Sequence, residues 1–304
     1  MSTDTESDLS AIDLTDASVW EKGAPHDWLD RLRSEDPVHW HPEADGPGFW
    51  AVTRHDDVSR ISTSPDEFSS YLRGPLRPDP DPESLEQVRM VIIGMDPPEH
   101  REFRSIVAKA FTPRMIGKLA DALGEETARV VGELRDRDSC EFVNDVAARI
   151  PMWSISELMG VPEGDRQRLY ELSHCLIDDQ DPEVAPTPET SMEASAEVFA
   201  YASEMAARER ANPSGSLTSD LLAAEVQGRK LTDMEYTLFF LFLIVAGNET
   251  TRTATSHGLL ALLEHPDSMK RLVRDPELVP SAVEEILRWQ PPIHHFRRTA
   301  TRDT

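Results

Sequence analysis

Cysteine and long hydrophobic runs are both scarce in this chain of 304 residues. Its two cysteines, Cys140 and Cys175, are too few for a disulfide framework, so the composition favours a reducing cytoplasm. The longest apolar run, 238–246, is far shorter than the roughly 20 residues that cross a bilayer. Residues 1–10 are polar and acidic, so the sequence predicts neither a signal peptide nor a membrane anchor.

Positive charge is in deficit, because 31 Lys and Arg stand against 56 Asp and Glu and the formal net charge is −25. A charge of this sign and size argues against nucleic acid and against an anionic membrane as partners. The acids near the start predict a disordered acidic tail over residues 1–12, followed by one domain over 13–304. The chain has no glycine-rich phosphate loop and no alternation of strands with helices, so a dinucleotide-binding fold is not expected.

Helical periodicity is what the chain has in abundance. The predicted helices are 26–34, 55–62, 113–136, 145–159, 163–177, 191–211 and 282–289. Two short strands, 38–40 and 49–52, flank a turn rich in Pro, Gly and Asp, which predicts a hairpin. Proline-rich stretches predict loops at 71–88 and 178–188. The expected fold class is mainly α with a small antiparallel β region.

Three further helix starts carry capping signals. Asp96-Pro97-Pro98-Glu99 places an aspartate at the N-cap and a proline at the first helical position. Thr232 with Glu235 forms a capping box, and Ser281 with Glu284 forms another. The helix that Thr232 opens is expected to run to about residue 264, which is roughly 48 Å at the usual rise per residue.

In the middle of that long helix, Ala246-Gly247-Asn248-Glu249-Thr250-Thr251 interrupts the apolar pattern. A buried acid beside a hydroxyl is costly unless it has a use, because unpaired polar groups lose solvation. Gly247 costs about 1 kcal/mol of helix stability relative to alanine. A helix that accepts both penalties at one place predicts a functional groove. The alternative is a local kink in which Thr250 bonds back to a helix carbonyl.

Two charged pairs lie at helical spacing. Glu285 and Arg288 are three residues apart, and His100 and Arg104 are four apart, so each pair shares one helix face. Taken alone, Glu285 and Arg288 are a common kind of surface pair. Arg104 has a similar alternative, a surface salt bridge with a neighbouring glutamate.

The remaining histidines do not predict a metal site. His294 and His295 are adjacent, so on a strand their side chains point to opposite faces and cannot chelate one ion together. His39 and His41 are expected on the surface of the first strand. No zinc-like cluster is predicted, and no residue of this chain is expected to ligate a metal.

The motifs together resemble those of the cytochrome P450 family, and the resemblance extends from about Asp13 to the end of the chain. It is carried by the groove at 246–251, by Glu285 and Arg288 ahead of Trp289-Gln290-Pro291-Pro292, and by the string Met95-Asp96-Pro97-Pro98-Glu99-His100-Arg101. The resemblance implies the P450 fold and a soluble bacterial enzyme of the class I type. The implied activity is that of a haem-thiolate monooxygenase, which inserts one oxygen atom of dioxygen into a C–H bond of a hydrophobic small molecule.

The resemblance also implies roles for the groove residues. Thr250 is then the oxygen-side alcohol, and Glu249 is the acid of a relay that brings in the two protons the reaction needs. Ala246 and Gly247 make room beside the cofactor, haem b (iron protoporphyrin IX).

Roles outside the groove follow from the same resemblance. His100, Arg104 and Arg298 are implied to bind the two haem carboxylates, which need cationic donors when buried. The adjacent Arg297 is the less favoured choice. Glu285 and Arg288 are implied to stabilise the core beside the haem loop and to have a structural role.

Five positions are candidates for substrate contact: Ile93, Phe242, Val245, Ile293 and His294. Plain core packing is the alternative, and for Phe242 and Val245 the two interpretations are nearly equal. The sequence of the groove, with Arg252 after the two threonines, is most similar to that of bacterial P450s that hydroxylate sterol side chains, branched lipids or terpenes.

The family binds haem iron through a cysteine in a glycine-rich loop, and neither cysteine of this chain has that setting. Cys140 has no nearby glycine, and Cys175 lies within a predicted helix. The sequence is therefore expected to be C-terminally truncated before the axial cysteine and to be inactive by itself. The alternative is a non-catalytic remnant that cannot ligate haem iron.

The class of enzyme also implies partners. Electrons are expected to come from NAD(P)H through a ferredoxin reductase and a ferredoxin. The protein is expected to be a cytoplasmic monomer whose other partner is its hydrophobic substrate, with no bound nucleic acid or membrane.

Overall fold

A computed structural model of the chain describes residues 9–21, 23–44, 46–111, 113–177, 187–226 and 228–304. The helices are α1 (Ala17–Trp20), α2 (His26–Glu35), α3 (His55–Thr63), α4 (Pro82–Met90), α5 (Glu99–Ala110), α6 (Pro113–Glu133), α7 (Arg149–Met159), α8 (Glu163–Ile177), α9 (Pro188–Ala211), α10 (Leu217–Ala223), α11 (Asp233–Glu264), α12 (Pro266–Arg274) and α13 (Val279–Trp289). The strands are β1 (Val38–His41), β2 (Phe49–Val52), β3 (Phe68–Ser69), β4 (Glu225–Val226), β5 (Arg229–Lys230) and β6 (Thr299–Ala300). The chain is mainly α with small antiparallel sheets, as the sequence predicts.

The chain divides into two compact units. One unit contains the residues up to Glu86 together with His294–Thr304, and the other contains Gln87–Ile293. The prediction of one domain over 13–304 stays a prediction. Residues 1–8 of the predicted acidic tail lie outside the described residues, while Leu9–Ala11 forms a 3-10 turn and Ile12 is buried.

In the first unit, β1 and β2 form the predicted antiparallel hairpin, in which Val38 pairs with Val52. Gly48, before β2, has a φ of +79°, and a side chain there would run into the ring of Trp40. β3 pairs with β6, so the last described strand returns to the early part of the chain.

The core of the second unit is built around α11. Its first half is apolar on nearly every side, and such a helix needs cover all round. It packs against α7, α8, α9 and α10, and it buries Tyr236, Phe239, Phe240 and Ile244. The burial of these side chains fixes the position of the polar residues that follow them on the same helix.

The start of α11 is the predicted capping box. The Thr232 hydroxyl accepts from the backbone N–H of Glu235, and the Glu235 carboxylate accepts from the backbone N–H of Thr232. The helix ends at Glu264, the predicted position. α8 has its predicted bounds, and Gly160 closes α7 in the left-handed conformation with a φ of 76°.

Several details differ from the sequence-based predictions. Part of the expected loop at 71–88 is helical, because α4 begins at Pro82 with Asp81 accepting hydrogen bonds from the N–H groups of Glu83 and Ser84. The helix expected from residue 145 begins instead as a π-helix, Val143–Ala147, and continues as α7. The predicted loop at 178–188 lies outside the described residues as far as residue 186.

Three further differences concern two helix starts and a histidine. α5 begins at Glu99 rather than at Pro97, so Pro98 and not Asp96 is its N-cap. Ser281 lies inside α13, where its hydroxyl donates to the Leu278 carbonyl, so it does not cap that helix. His41 is buried rather than on the surface, because its Nε2 accepts from the Leu14 N–H and its ring stacks on Phe49.

Candidate functional site

The predicted groove lies in the buried middle of α11. Glu249 and Asn248 are buried, and Ala246, Gly247 and Thr250 are partly buried. The Thr250 hydroxyl donates to the Ala246 carbonyl over 2.8 Å. This is the back-bond named as the alternative interpretation of the motif. It commits the hydroxyl proton and leaves the oxygen lone pairs of Thr250 able to accept a hydrogen bond.

The Glu249 carboxylate is held by two neighbours on the same helix. Asn248 Nδ2 donates to Glu249 Oε1 over 2.9 Å, and Arg252 Nη2 forms an ion pair with Glu249 Oε2. The side chains of Arg252 and Glu249 are only 13% and 10% exposed. Sequence reasoning assigned no role to Asn248 or Arg252 in holding the acid, although the spacing of three residues between Glu249 and Arg252 was visible.

Gly247 faces α7. A Cβ built on Gly247 would lie 3.1–3.2 Å from the side chain of Ile155, which is tighter than ordinary contact. The glycine therefore permits the close approach of α7 and α11, a packing reason that the sequence did not reveal. The room for oxygen that the resemblance implied at Gly247 stays a prediction.

Glu285 and Arg288 form the predicted pair on α13. Arg288 Nε donates to one carboxylate oxygen over 2.6 Å and Nη2 to the other over 2.7 Å. These donors lower the pKa of the Glu285 carboxyl below its usual range. Both side chains are well exposed, at 60% and 64%, so the geometry is that of a bidentate pair at the surface of the described chain.

The candidate haem-carboxylate donors lie on two elements. His100 and Arg104 are on α5, one turn apart, with His100 partly buried and Arg104 exposed. Arg298, in the other unit, is partly buried and donates to the Arg297 carbonyl over 2.8 Å.

Arg297, the less favoured neighbour, is used within its own unit. Its guanidinium donates to the carbonyls of Arg73 and Gly74 and to the carboxylate of Asp79. These contacts hold the segment at residues 73–79, and the choice of Arg298 over Arg297 stays a prediction.

The candidate substrate residues differ in setting. Phe242 is partly buried and packs on the hydrophobic core, which favours the packing interpretation for this residue. Val245 and Ile93 are partly buried, and Ile293 is exposed. The ring of His294 packs on Trp20 with ring centroids 4.5 Å apart.

Comparisons with known proteins decide the family. A family model for cytochrome P450 matches residues 179–304. The steroid C26-monooxygenase of Mycobacterium tuberculosis is 38% identical, over 96% of this chain and 69% of the relative. The chain belongs to the cytochrome P450 family.

Other relatives agree with that assignment. The methyl-branched lipid omega-hydroxylase of Mycobacterium tuberculosis is 38% identical, over 90% of this chain and 65% of the relative. The solved Mycobacterium marinum cytochrome P450 in complex with pseudoionone is 35% identical and has a TM-score of 0.89, over 97% of this chain and 74% of that one. The chain thus spans roughly two thirds to three quarters of the length of these relatives.

The P450 family is one of monooxygenases, and membership of it implies haem as the cofactor of this chain. The described residues fit haem at two places. α5 presents His100 and Arg104 as donors for carboxylates, and the buried Asn248 Oδ1 has no hydrogen-bond partner among the described residues. The Asn248 amide cannot be turned round without setting its oxygen against Glu249, so Oδ1 is an atom of the groove that can accept a hydrogen bond.

Neither cysteine lies on α5 or on α11. Cys140 is exposed ahead of the π-helix, and Cys175 lies partly buried on α8. Within the described ranges, no group of three or more His, Cys, Asp or Glu is arranged to hold a metal ion. None of the described helices is both long and apolar enough to span a membrane.

Proposed function

We propose that this P450 chain is part of a haem-thiolate monooxygenase that hydroxylates an unactivated C–H bond of a sterol, lipid or terpenoid. The observation that carries the proposal is the acid–alcohol pair in the buried middle of α11. Glu249 is held there on both carboxylate oxygens, and the Thr250 oxygen remains able to accept a hydrogen bond. A buried acid next to a hydroxyl provides what proton delivery to a dry site requires.

The substrate class is supported by the relatives. One is named for oxidation of steroids, one for omega-hydroxylation of methyl-branched lipids, and one was solved with pseudoionone. All three names describe hydrophobic molecules. Among the residues of this chain, Val245 and Ile93 are the best candidates for substrate contact, since both are apolar and only partly buried.

His100, Arg104 and Arg298 would hold the haem carboxylates through charge-assisted hydrogen bonds. When bound, haem would supply the iron that activates dioxygen. Glu249 would exchange protons with solvent and pass them to the oxygen side, and Thr250 would accept a hydrogen bond there and orient the proton donor. Electrons would come from NAD(P)H through a ferredoxin reductase and a ferredoxin.

The test uses the whole haem-loaded protein of which this chain is proposed to be part, not the polypeptide of residues 1–304 alone. Reduced and exposed to carbon monoxide, it is expected to show the long-wavelength Soret band of a thiolate-ligated haem. With oxygen, NAD(P)H and the two redox partners, it should form a hydroxylated product from a steroid, a methyl-branched fatty acid or pseudoionone. A well-folded protein with the spectrum of histidine-ligated haem would sink the proposal.

A further inference from the structure

Glu249, the acid of the groove, is paired with Arg252, an arginine to which the proposed reaction assigns no role. Arg252 lies three residues after Glu249 and four after Asn248, so its side chain lies one helical turn from both of theirs on α11. Arg252 Nη2 pairs with Glu249 Oε2, while Asn248 Nδ2 donates to Oε1 over 2.9 Å. Each carboxylate oxygen of Glu249 is therefore held from a different direction.

Stability alone is a weak reason for this ion pair. Both side chains are almost fully buried, and taking two charges out of water costs about as much as their attraction returns. An apolar pair of similar size would serve a helix core as well or better. What a buried pair does supply is a fixed geometry, because an arginine can bond a carboxylate in few orientations.

We propose that Arg252 is a positioning residue for Glu249. Arg252 holds the carboxylate in the orientation from which it can pass a proton towards Thr250, and Asn248 holds the second oxygen. This inference rests on the proposed function, in which Glu249 is the acid of the relay. Arg252 is not itself a member of that relay, because it acts through Glu249 and contacts neither substrate nor haem in the proposed reaction.

The activity test measures product formed per NAD(P)H consumed in the haem-loaded protein. Arg252→Gln is expected to lower this ratio by about tenfold, less than the loss of a general acid itself can cause, and to leave KM for the substrate unchanged. Arg252→Lys keeps a cation but loses the fixed geometry of the guanidinium, and it is expected to recover only part of the loss. The ratio in Glu249→Gln should fall at least as far.

The double variant shows whether Arg252 acts through Glu249. If it does, Glu249→Gln with Arg252→Gln should have the same product ratio as Glu249→Gln alone. Multiplying losses would mean that Arg252 acts independently, and the inference would be wrong. A normal ratio in Arg252→Gln with a low ratio in Glu249→Gln would also overturn it, while the proposed function would stand. Normal product ratios in Arg252→Gln and in Glu249→Gln would overturn the inference and the proposed function together.

A second measurement does not depend on activity. The free energies of unfolding of the two single variants and the double variant form a cycle that reports the Glu249–Arg252 interaction directly. The inference expects a coupling free energy clearly different from zero. Additive effects of the two substitutions on the free energy of unfolding would contradict the positioning role of Arg252. If Arg252→Gln fails to fold, Asn248→Leu releases the other carboxylate oxygen, and a folded Asn248→Leu protein with an unchanged product ratio would overturn the inference.

The chain offers a control for the loss of an ion pair on another helix, in which the carboxylate is buried and the arginine is exposed. Arg129 on α6 pairs with Glu126, also three residues away, and the Glu126 side chain is as buried as that of Glu249, at 10% exposure. Arg129→Gln is expected to leave the product ratio unchanged. An equal fall in that variant would show that the readout follows general helix damage, and it would overturn the assignment to Arg252.

Discussion

Thr250 shows how one side chain can satisfy two interpretations of a motif. Its hydroxyl bonds back to the Ala246 carbonyl, as a helix-bending threonine does, yet its oxygen can still accept a hydrogen bond. The back-bond fixes where that acceptor lies. A structural contact of this kind therefore prepares the hydroxyl for a role in orienting a proton donor.

Thr250→Ala removes that acceptor. In the haem-loaded protein, we expect substrate binding to persist while product formed per NAD(P)H falls severalfold and hydrogen peroxide rises. In the proposed function the hydroxyl serves the proton path rather than the substrate, so the substrate-induced spectral change should be retained. Product, peroxide and NAD(P)H consumption measured together check this, and an unchanged product ratio would remove Thr250 from the relay.

At the scale of elements, the contact between α7 and α11 decides what Gly247 does. The helix surfaces approach so closely that a methyl group at Gly247 would press on Ile155. Ile155 is itself buried, so it has little room to move away. The glycine therefore lets a polar groove sit on a helix that is packed tightly on its other side.

Gly247→Ala should destabilise the haem-loaded protein by about 1 kcal/mol. The helix gains roughly 1 kcal/mol in propensity, but overpacking in a tight core costs about 1–3 kcal/mol. Gly124→Ala on α6 is the matched control, since a Cβ there meets nothing within 4 Å and the change should stabilise by about 0.5–1 kcal/mol. Urea unfolding measures both changes, and a stabilised Gly247→Ala protein would contradict the packing role.

The start of α11 depends on an ionised glutamate. Arg229 bonds the Glu235 carboxylate with both terminal nitrogens, and Thr232 donates to it as well. These donors, Arg229 first, lower the pKa of Glu235 to about 2 from an ordinary 4.5. Because the folded pKa is the lower one, the contribution to stability is present above about pH 4.5 and is lost as the pH falls towards 2.

Glu235→Gln should therefore cost about 1 kcal/mol of stability near pH 7, the usual value of a lost cap. The difference between the two proteins should shrink as unfolding is repeated at pH values between 4.5 and 2. Asp233→Asn is the control, because the pair of Asp233 with Arg210 is largely exposed and should contribute under 1 kcal/mol. A cost for Glu235→Gln that does not depend on pH would contradict the assignment.

At the scale of the whole chain, the last three helices of the second unit carry an exposed apolar surface. Its members on α11, α12 and α13 are Leu260, Leu263, Val273, Val279, Val283, Leu287 and Trp289. These helices also line a cavity of about 370 Å³. Exposed apolar side chains on helices that contact one another favour association in a protein that is not otherwise covered there.

The polypeptide of residues 1–304 expressed alone is expected to aggregate and to hold haem weakly. Leu263→Glu with Val273→Lys should raise the soluble fraction at least twofold, since the two substitutions interrupt the apolar surface with charge. Light scattering, a thermal melt and a haem titration check this. A cooperative melt from a monomer that binds stoichiometric haem with a thiolate-type spectrum would contradict the expectation.

Much of the fold was visible in the sequence because its signals are local. The capping box at Thr232 and the bounds of α8 each depend on residues close together in the sequence. The hairpin of β1 and β2 follows from alternation and turn chemistry. The sequence placed the start of α5 at Pro97, two residues before the observed start at Glu99. Errors of one or two residues are common at helix ends.

The sequence by itself determined the long helix α11 and the position of the acid and alcohol on it, since periodicity and capping fix where a helix lies. Its motifs resembled the P450 family, and the comparisons then showed that the chain belongs to it. Only the tertiary structure decided what those residues touch. The burial of His41, the contact of Gly247 with Ile155 and the enclosure of the Glu249–Arg252 pair depend on chain segments far apart in sequence. Burial and close packing are set by which surfaces meet, and no local pattern records that.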